Sequence, residues 1–234
     1  MRPVDKNEAP KDRDGNPKSY SKYENARRDL IQALGEYCSY CEMALDVSLA
    51  VEHVKPKTHF PRLELKWSNF LLACTNCNST KGAEPEDGNL DNYYWPHLDN
   101  TFLAFEYGRE GIVKVAQNLS DEQKEKAKNT INLIGLDAKP NRQNYSDRRW
   151  LNRREAWNEA IDSKQALFEA DSPQMRDQII RTAKAKGYWS IWMTVFSDDH
   201  DMLSRLLNAA DFKGTASDCF DANYQPVGRR GGAL

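Results

Sequence analysis

The chain has 234 residues, 39% of them hydrophobic, and a formal net charge of −2, enough to bury one good core or two small ones. No apolar run is long enough to cross a bilayer, no secretory signal is expected, and thiols spaced for a metal suit a reducing compartment, so a cytoplasmic protein without membrane contact is expected. The near-neutral charge argues against an enzyme that holds nucleic acid through its own basic surface, because phosphate contacts supply most of such affinity.

In chain order, residues 1–36 read as a polar arm followed by a helix near Tyr20–Leu34, whose Tyr23, Leu30, Ile31 and Leu34 share a face and which Gly35 ends. Residues 37–94 carry the chemistry. Cys38-Ser-Tyr-Cys41 and Cys74-Thr-Asn-Cys77 are CxxC pairs whose four thiolates suit one tetrahedral zinc. With four protein ligands and no open position, that zinc is expected to be structural. Between the pairs, Val51-Glu52-His53-Val54 reads as a short strand that sets a hard oxygen donor beside a base titrating near neutral pH. Strand neighbours point to opposite faces, so the spacing alone does not bring Glu52 and His53 to one site. After the second pair, Asn78-Ser-Thr-Lys81-Gly82 predicts a helix beginning near Asn78, and an amide oxygen there would complete a site for a divalent cation.

Residues 95–213 are expected to hold a hairpin and then helices. Phe102–Glu106 and Ile112–Val115 alternate around Gly108-Arg-Glu-Gly111. Ser120-x-x-Gln123 makes a capping box for a helix stopped at Gly135, a long helix covers Tyr145–Ala170, and Ser172-Pro173 opens another that stops at Gly187. The aromatic run Tyr188–Phe196 reads as core, with any exposed share marking a partner surface. Between Lys139 and Arg154, the cations Arg142, Arg148, Arg149, Arg153 and Arg154 interleave with Tyr145 and Trp150. That stretch is either a phosphate-tracking face or a solvated helix face paired with Glu155 and Glu159. His97, beside Trp95 and Pro96, is either packed or close to the metal site. Cys219 is expected to be a free thiol in a flexible tail, 214–234.

The order CxxC, Glu52-His53, Trp67-Ser-Asn69-Phe-Leu-Leu-Ala, then CxxC-Asn78-x-x-Lys81-Gly resembles the zinc-containing HNH nucleases of the ββα-metal fold. With the rest, this makes an α+β chain: a zinc-stabilised ββα-metal core and a mostly helical C-terminal part. The resemblance implies that His53 is a general base, that Glu52 and Asn78 hold a catalytic Mg²⁺ or Mn²⁺, and that Asn69 fixes the loop between the strands. It also implies phosphate contact by Lys81; Lys55 is a further candidate substrate contact, and His59, in the loop between the strands, is either a substrate contact or a solvated loop residue. Glu52 replaces the Asp more frequent in the family, and Asn78 stands where many relatives carry His, which favours a hard cation.

Outside this core, Met1-Arg-Pro-Val, Tyr94–Asn100, Phe102–Gly108 and Lys128–Asp137 resemble the HNH subunit of Septu-type and some retron-associated antiphage systems. That resemblance implies DNA cleavage in concert with an ABC-type ATPase. Two alternatives stand beside it: a ribonuclease cutting tRNA or other RNA with the same site, and a non-catalytic zinc module that binds nucleic acid or a partner.

Overall fold

The computed structural model describes residues 1–45, 49–139, 146–208 and 210–234. A 3₁₀ turn at Tyr23–Ala26, with Ala26 buried, runs into α1 (Arg27–Leu34), which buries Leu30 and Leu34. Gly35 ends it at φ 76°, its N–H donating to the Ile31 carbonyl. Strand β1 (Leu49–His53) pairs antiparallel with β2 (Phe70–Cys74), in a register that sets Leu49 opposite Cys74 and His53 opposite Phe70. Every residue of β2 is buried, because α1 and α2 (Thr75–Lys81) both pack on this two-stranded sheet. A strand covered on both faces loses polar alternation and becomes the apolar run Phe-Leu-Leu-Ala-Cys.

Helix α2 corrects one expectation. It starts at Thr75, not near Asn78, because the Cys74 Sγ is its N-cap and accepts the Cys77 N–H. A sulfur therefore fills the position where an oxygen side chain is the familiar signal. Asn78 sits inside the helix, one turn before Lys81, and Gly82 closes it.

After a four-residue helix, α3 (Thr101–Ala104), come β3 (Phe105–Glu106) and β4 (Lys114–Val115). They form a separate hairpin and leave the β1–β2 sheet unextended. Helix α4 (Asp121–Ile134) carries both reciprocal bonds of the Ser120/Gln123 capping box and stops at Gly135 in the left-handed region. Then follow α5 (Arg149–Glu169), α6 (Pro173–Lys186), α7 (Trp189–Val195) and α8 (His200–Leu206).

Apolar side chains gather into two cores. One joins α1, the β1–β2 sheet, Tyr94, Trp95, the hairpin and α4; the other joins α5 to α8 with Phe212 and Phe220. The expected boundary at residue 94 thus runs through the first core. The aromatic run belongs to the second core, with Trp189, Ile191, Trp192 and Phe196 each at most 2% exposed, so it offers no partner surface. Glu42 ties the cores together: its carboxylate accepts from the Ser190 N–H at 2.7 Å and the Tyr107 hydroxyl at 3.1 Å, and its carbonyl accepts from the Tyr188 N–H. At this seam Gly187, with φ 76°, lies so close that an added Cβ would stand 2.6 Å from the Glu42 oxygen. Only glycine fits there.

The expected flexible tail is instead folded against both cores, with Ala216, Cys219 and Phe220 in the second and Leu234 packed on the first. The Asn100 amide donates to the Cys219 and Val227 carbonyls at 2.8 and 2.7 Å, the Ala233 N–H donates to Asp99, and Arg229 donates to the Val4 carbonyl. Cys219 is a free thiol, but a fully buried one, and burial pushes it up to about 12. Among the described residues no helix is long and apolar enough to cross a membrane.

Candidate active site and metal centre

The two CxxC pairs come from a turn before β1 and from the β2–α2 junction. Their four sulfurs are buried and lie within 4.8 Å of one another, with Cys41 Sγ and Cys74 Sγ 3.7 Å apart. Zinc–sulfur bonds of about 2.3 Å in a tetrahedron put sulfurs about 3.8 Å apart, so the quartet fits structural zinc. Within each pair, the second cysteine's N–H donates to the first sulfur, at 3.5 Å for Cys41 to Cys38 and 3.4 Å for Cys77 to Cys74. Arg149 adds a guanidinium bond to Cys77 Sγ at 3.2 Å. Four thiolates around a divalent ion carry a net charge of −2, and a buried cation beside them offsets it.

Glu52, His53 and Asn78 line a single cavity of about 260 Å³ with Tyr23 and Lys57. Strand alternation is no obstacle here: Glu52 and His53, the last two residues of β1, both line this cavity. The ring sits edge-on to Tyr23 and Phe70, with centroids 4.9 and 5.3 Å away. Its Nε2 lies 2.9 Å from the Glu64 carbonyl oxygen. A carbonyl only accepts, so Nε2 carries the proton and Nδ1 keeps the lone pair. Burial lowers the His53 pKa, with Lys57 and Lys81 acting in the same sense and Glu64 opposing. The neutral ring is thereby favoured.

Asn69 spans the loop between the strands. Its Oδ1 accepts the Lys55 N–H at 2.7 Å, and its amide donates to the Lys55 and Leu63 carbonyls at 2.9 and 3.3 Å. This pins the backbone two residues after His53.

Lys81 differs from expectation. Its side chain is 1% exposed, with Nζ 2.8 Å from Glu52 Oε1 and 2.8 Å from the His53 carbonyl oxygen. Its ammonium is taken up by these contacts, so Lys81 serves as the counter-ion of a buried carboxylate. The Glu52 pKa is raised by burial, and the Lys81 ammonium offsets only part of that rise. We expect Lys81→Met to cost about 3–5 kcal/mol, the penalty of stranding a buried charge, and added Mg²⁺ to restore part of it. Urea denaturation with and without Mg²⁺ checks this; a midpoint equal to wild type in both would refute the pairing.

The basic stretch also divides. Arg149 and Arg153 are 3% and 1% exposed. Arg149 donates to the Ile134 and Gly135 carbonyls and to Asp147, and Arg153 to the Gly111 and Leu136 carbonyls. They join α5 to the first core, so they form no phosphate-tracking face. Arg148 and Arg154 are exposed, while Arg142 and Tyr145 lie outside the described residues. His59 is exposed and outside the cavity lining. His97 lines a different cleft, on the far side of the β1–β2 loop, and so does Lys55.

Two cavity residues went unread in the sequence. From sequence Tyr23 reads as part of an apolar helix face, and no pattern gives Lys57 a role. In the structure the Lys57 ammonium lies 4.0 Å from the Tyr23 ring centroid, at the cavity wall. No sequence signal links residues thirty-four positions apart on different elements; only the packing of the 3₁₀ turn against β1 does.

Comparison with known proteins agrees with this geometry. Residues 38–84 match the family model of the HNH endonucleases. The chain is 39% identical over 88 residues to the Septu protein PtuB of Bacillus thuringiensis, a match covering 35% of this chain and 34% of that relative. The shared part is thus about a third of the relative's length. A ββα unit with a four-cysteine cluster, and a glutamate, histidine and asparagine around one cavity, mark residues 38–84 as an HNH endonuclease domain, in a chain that resembles PtuB.

Proposed function

We propose that this chain is a metal-dependent endonuclease that hydrolyses phosphodiester bonds of nucleic acid, DNA foremost, as the effector of a cytoplasmic antiphage complex with a PtuA-like ABC-type ATPase. The observation that carries the reading is the meeting of Glu52, His53 and Asn78 around one cavity beside a structural zinc centre. The donor chemistry fits a hard divalent cation. Glu52 Oε1 is buried and takes no aligned hydrogen bond, only the Lys81 ion pair, and Asn78, which lines the same cavity, carries a second oxygen. Glu52 and Asn78 would hold Mg²⁺ or Mn²⁺, which when bound neutralises charge building on the phosphate and the leaving oxygen.

The chain's own groups do the rest. With Nε2–H held on the Glu64 carbonyl, His53 Nδ1 takes a proton from water as the oxygen attacks phosphorus in line with the leaving group. Tyr23 and Phe70 fix the ring plane, Asn69 fixes the loop behind it, and Lys57, at the cavity wall, faces incoming phosphate. The net charge of −2 supports dependence on a partner for affinity.

The test is parallel cleavage of plasmid DNA and of tRNA, with Mg²⁺ or Mn²⁺, by the chain alone and with its ATPase subunit. Cutting of DNA, faster with the ATPase, is expected. Cut tRNA beside intact plasmid would make the protein a ribonuclease. Intact nucleic acid in every arm, with zinc bound and the fold intact, would leave a zinc-stabilised binding module.

A further inference from the structure

The loop leaving β1 separates two cavities. His53, Pro56 and Lys57 line the active cavity, whereas Val54, Lys55 and Asn69 line a neighbouring cleft of about 830 Å³. The wall between them is one strand of backbone, held by the Asn69 bonds to Lys55. Two of the five large exposed hydrophobics among the described residues, Leu65 at 40% and Leu98 at 43%, line this cleft, so an apolar surface is held open to solvent there. Trp67 and His97 contribute further ring surface, and His97 Nδ1 is buried without a partner. Around the apolar lining stand lysines. Lys6 is spent on the Trp67, Ser68 and Phe70 carbonyls and Lys18 on Asp29, but Lys55 and Lys66 have no carboxylate partner among the described residues. Glu8 is the one carboxylate in the lining.

An apolar cleft rimmed by cations selects a ligand that is flat and apolar at one end and anionic at the other. A nucleobase on its phosphate has that form, and clefts of this kind track single strands by base contact inside a positive groove. We propose that this cleft receives an unpaired nucleotide of the substrate strand, next to the phosphate held at His53. The inference rests on the nuclease reading of the active cavity and names the substrate class: nucleic acid with an unpaired nucleotide flanking the cut. A paired duplex reaches the cleft only by flipping a base out of its stack.

The test uses the full chain carrying His53→Gln, so that substrate stays intact. Fluorescence anisotropy at low salt compares a labelled single-stranded oligonucleotide with the blunt duplex of the same sequence. It is repeated with Leu98→Glu and Lys66→Glu added separately, both changes on exposed side chains. The single strand is expected to bind about tenfold tighter than the duplex, and each substitution to remove about tenfold of that affinity while leaving duplex binding unchanged. Equal binding of strand and duplex, or indifference of the strand to Leu98→Glu, overturns the proposal. Displacement of the strand by a free nucleoside monophosphate at matched concentration overturns it too, in favour of a free nucleotide as the ligand. Because binding is read without cleavage, failure of the nuclease reading shows separately, as wild-type chain that cuts nothing.

Discussion

His53→Gln is expected to abolish cleavage and to leave the protein folded with its zinc in place. Glutamine is the informative replacement because its amide can still donate to the Glu64 carbonyl and fill the space between Tyr23 and Phe70, where the imidazole now packs. What it lacks is a nitrogen that accepts a proton near neutral pH. General-base catalysis contributes about 10²–10⁴ in rate, so loss of that order or more is expected in turnover on plasmid DNA with Mg²⁺. Substrate affinity should stay near that of wild type. Zinc content and the thermal midpoint, measured on the same preparation, separate loss of chemistry from loss of structure. A variant that cuts at the wild-type rate would remove His53 from the reaction and place the base elsewhere.

Stripping the zinc has the other large effect, and it falls on structure. Metal binding contributes about 10–16 kcal/mol to small zinc modules, against a typical domain stability of about 5–15 kcal/mol. A chelator strong enough to remove the ion should therefore melt the region around residues 38–84. The damage would not stop at the sulfurs. Cys74 caps α2, and α2 carries Asn78 and Lys81, so fraying its first turn displaces a proposed cation ligand and the partner of Glu52 together. Hydrogen exchange should show loss of protection through β1, β2 and α2 first, with α6 to α8, in the second core, retained longer. Cys77→Ser should reproduce the result without chelator. Unchanged exchange across β1 and β2 in metal-free protein would show that the cysteines are dispensable to the fold.

What the sequence revealed and what it hid follow from the range of the interactions. The cysteine quartet was legible because each CxxC pair is a local unit and zinc demands a fixed ligand number. The capping box at Ser120, the N-cap at Ser172 and the stops at Gly35, Gly135 and Gly187 were legible for the same reason. The start of α2 was not, because a cysteine is an uncommon cap. Basic side chains misled most. Lys81, Arg149 and Arg153 look like phosphate contacts in a string of letters, yet each is buried on carbonyls, a carboxylate or a thiolate contributed by distant parts of the chain. Gly214–Leu234 looked mobile because it is polar and rich in glycine. Its order comes from the buried Asp99 and Asn100 side chains, more than a hundred positions away, which hydrogen-bond to it. Tyr23 belongs with these cases: it joins the active cavity only through tertiary packing.

The bond from Arg149 to Cys77 Sγ has a thermodynamic corollary. Arg149 opens α5, the helix that begins the second core, while Cys77 belongs to the metal quartet. When two equilibria share one interaction, each biases the other by the same factor. Zinc affinity and the docking of α5 are then reciprocal quantities: a mutation or a bound partner that draws α5 away loosens the ion, and tighter metal binding holds the helix down. The zinc centre would thus report the position of the helical half to the nuclease half, with α2 as the shared element between them.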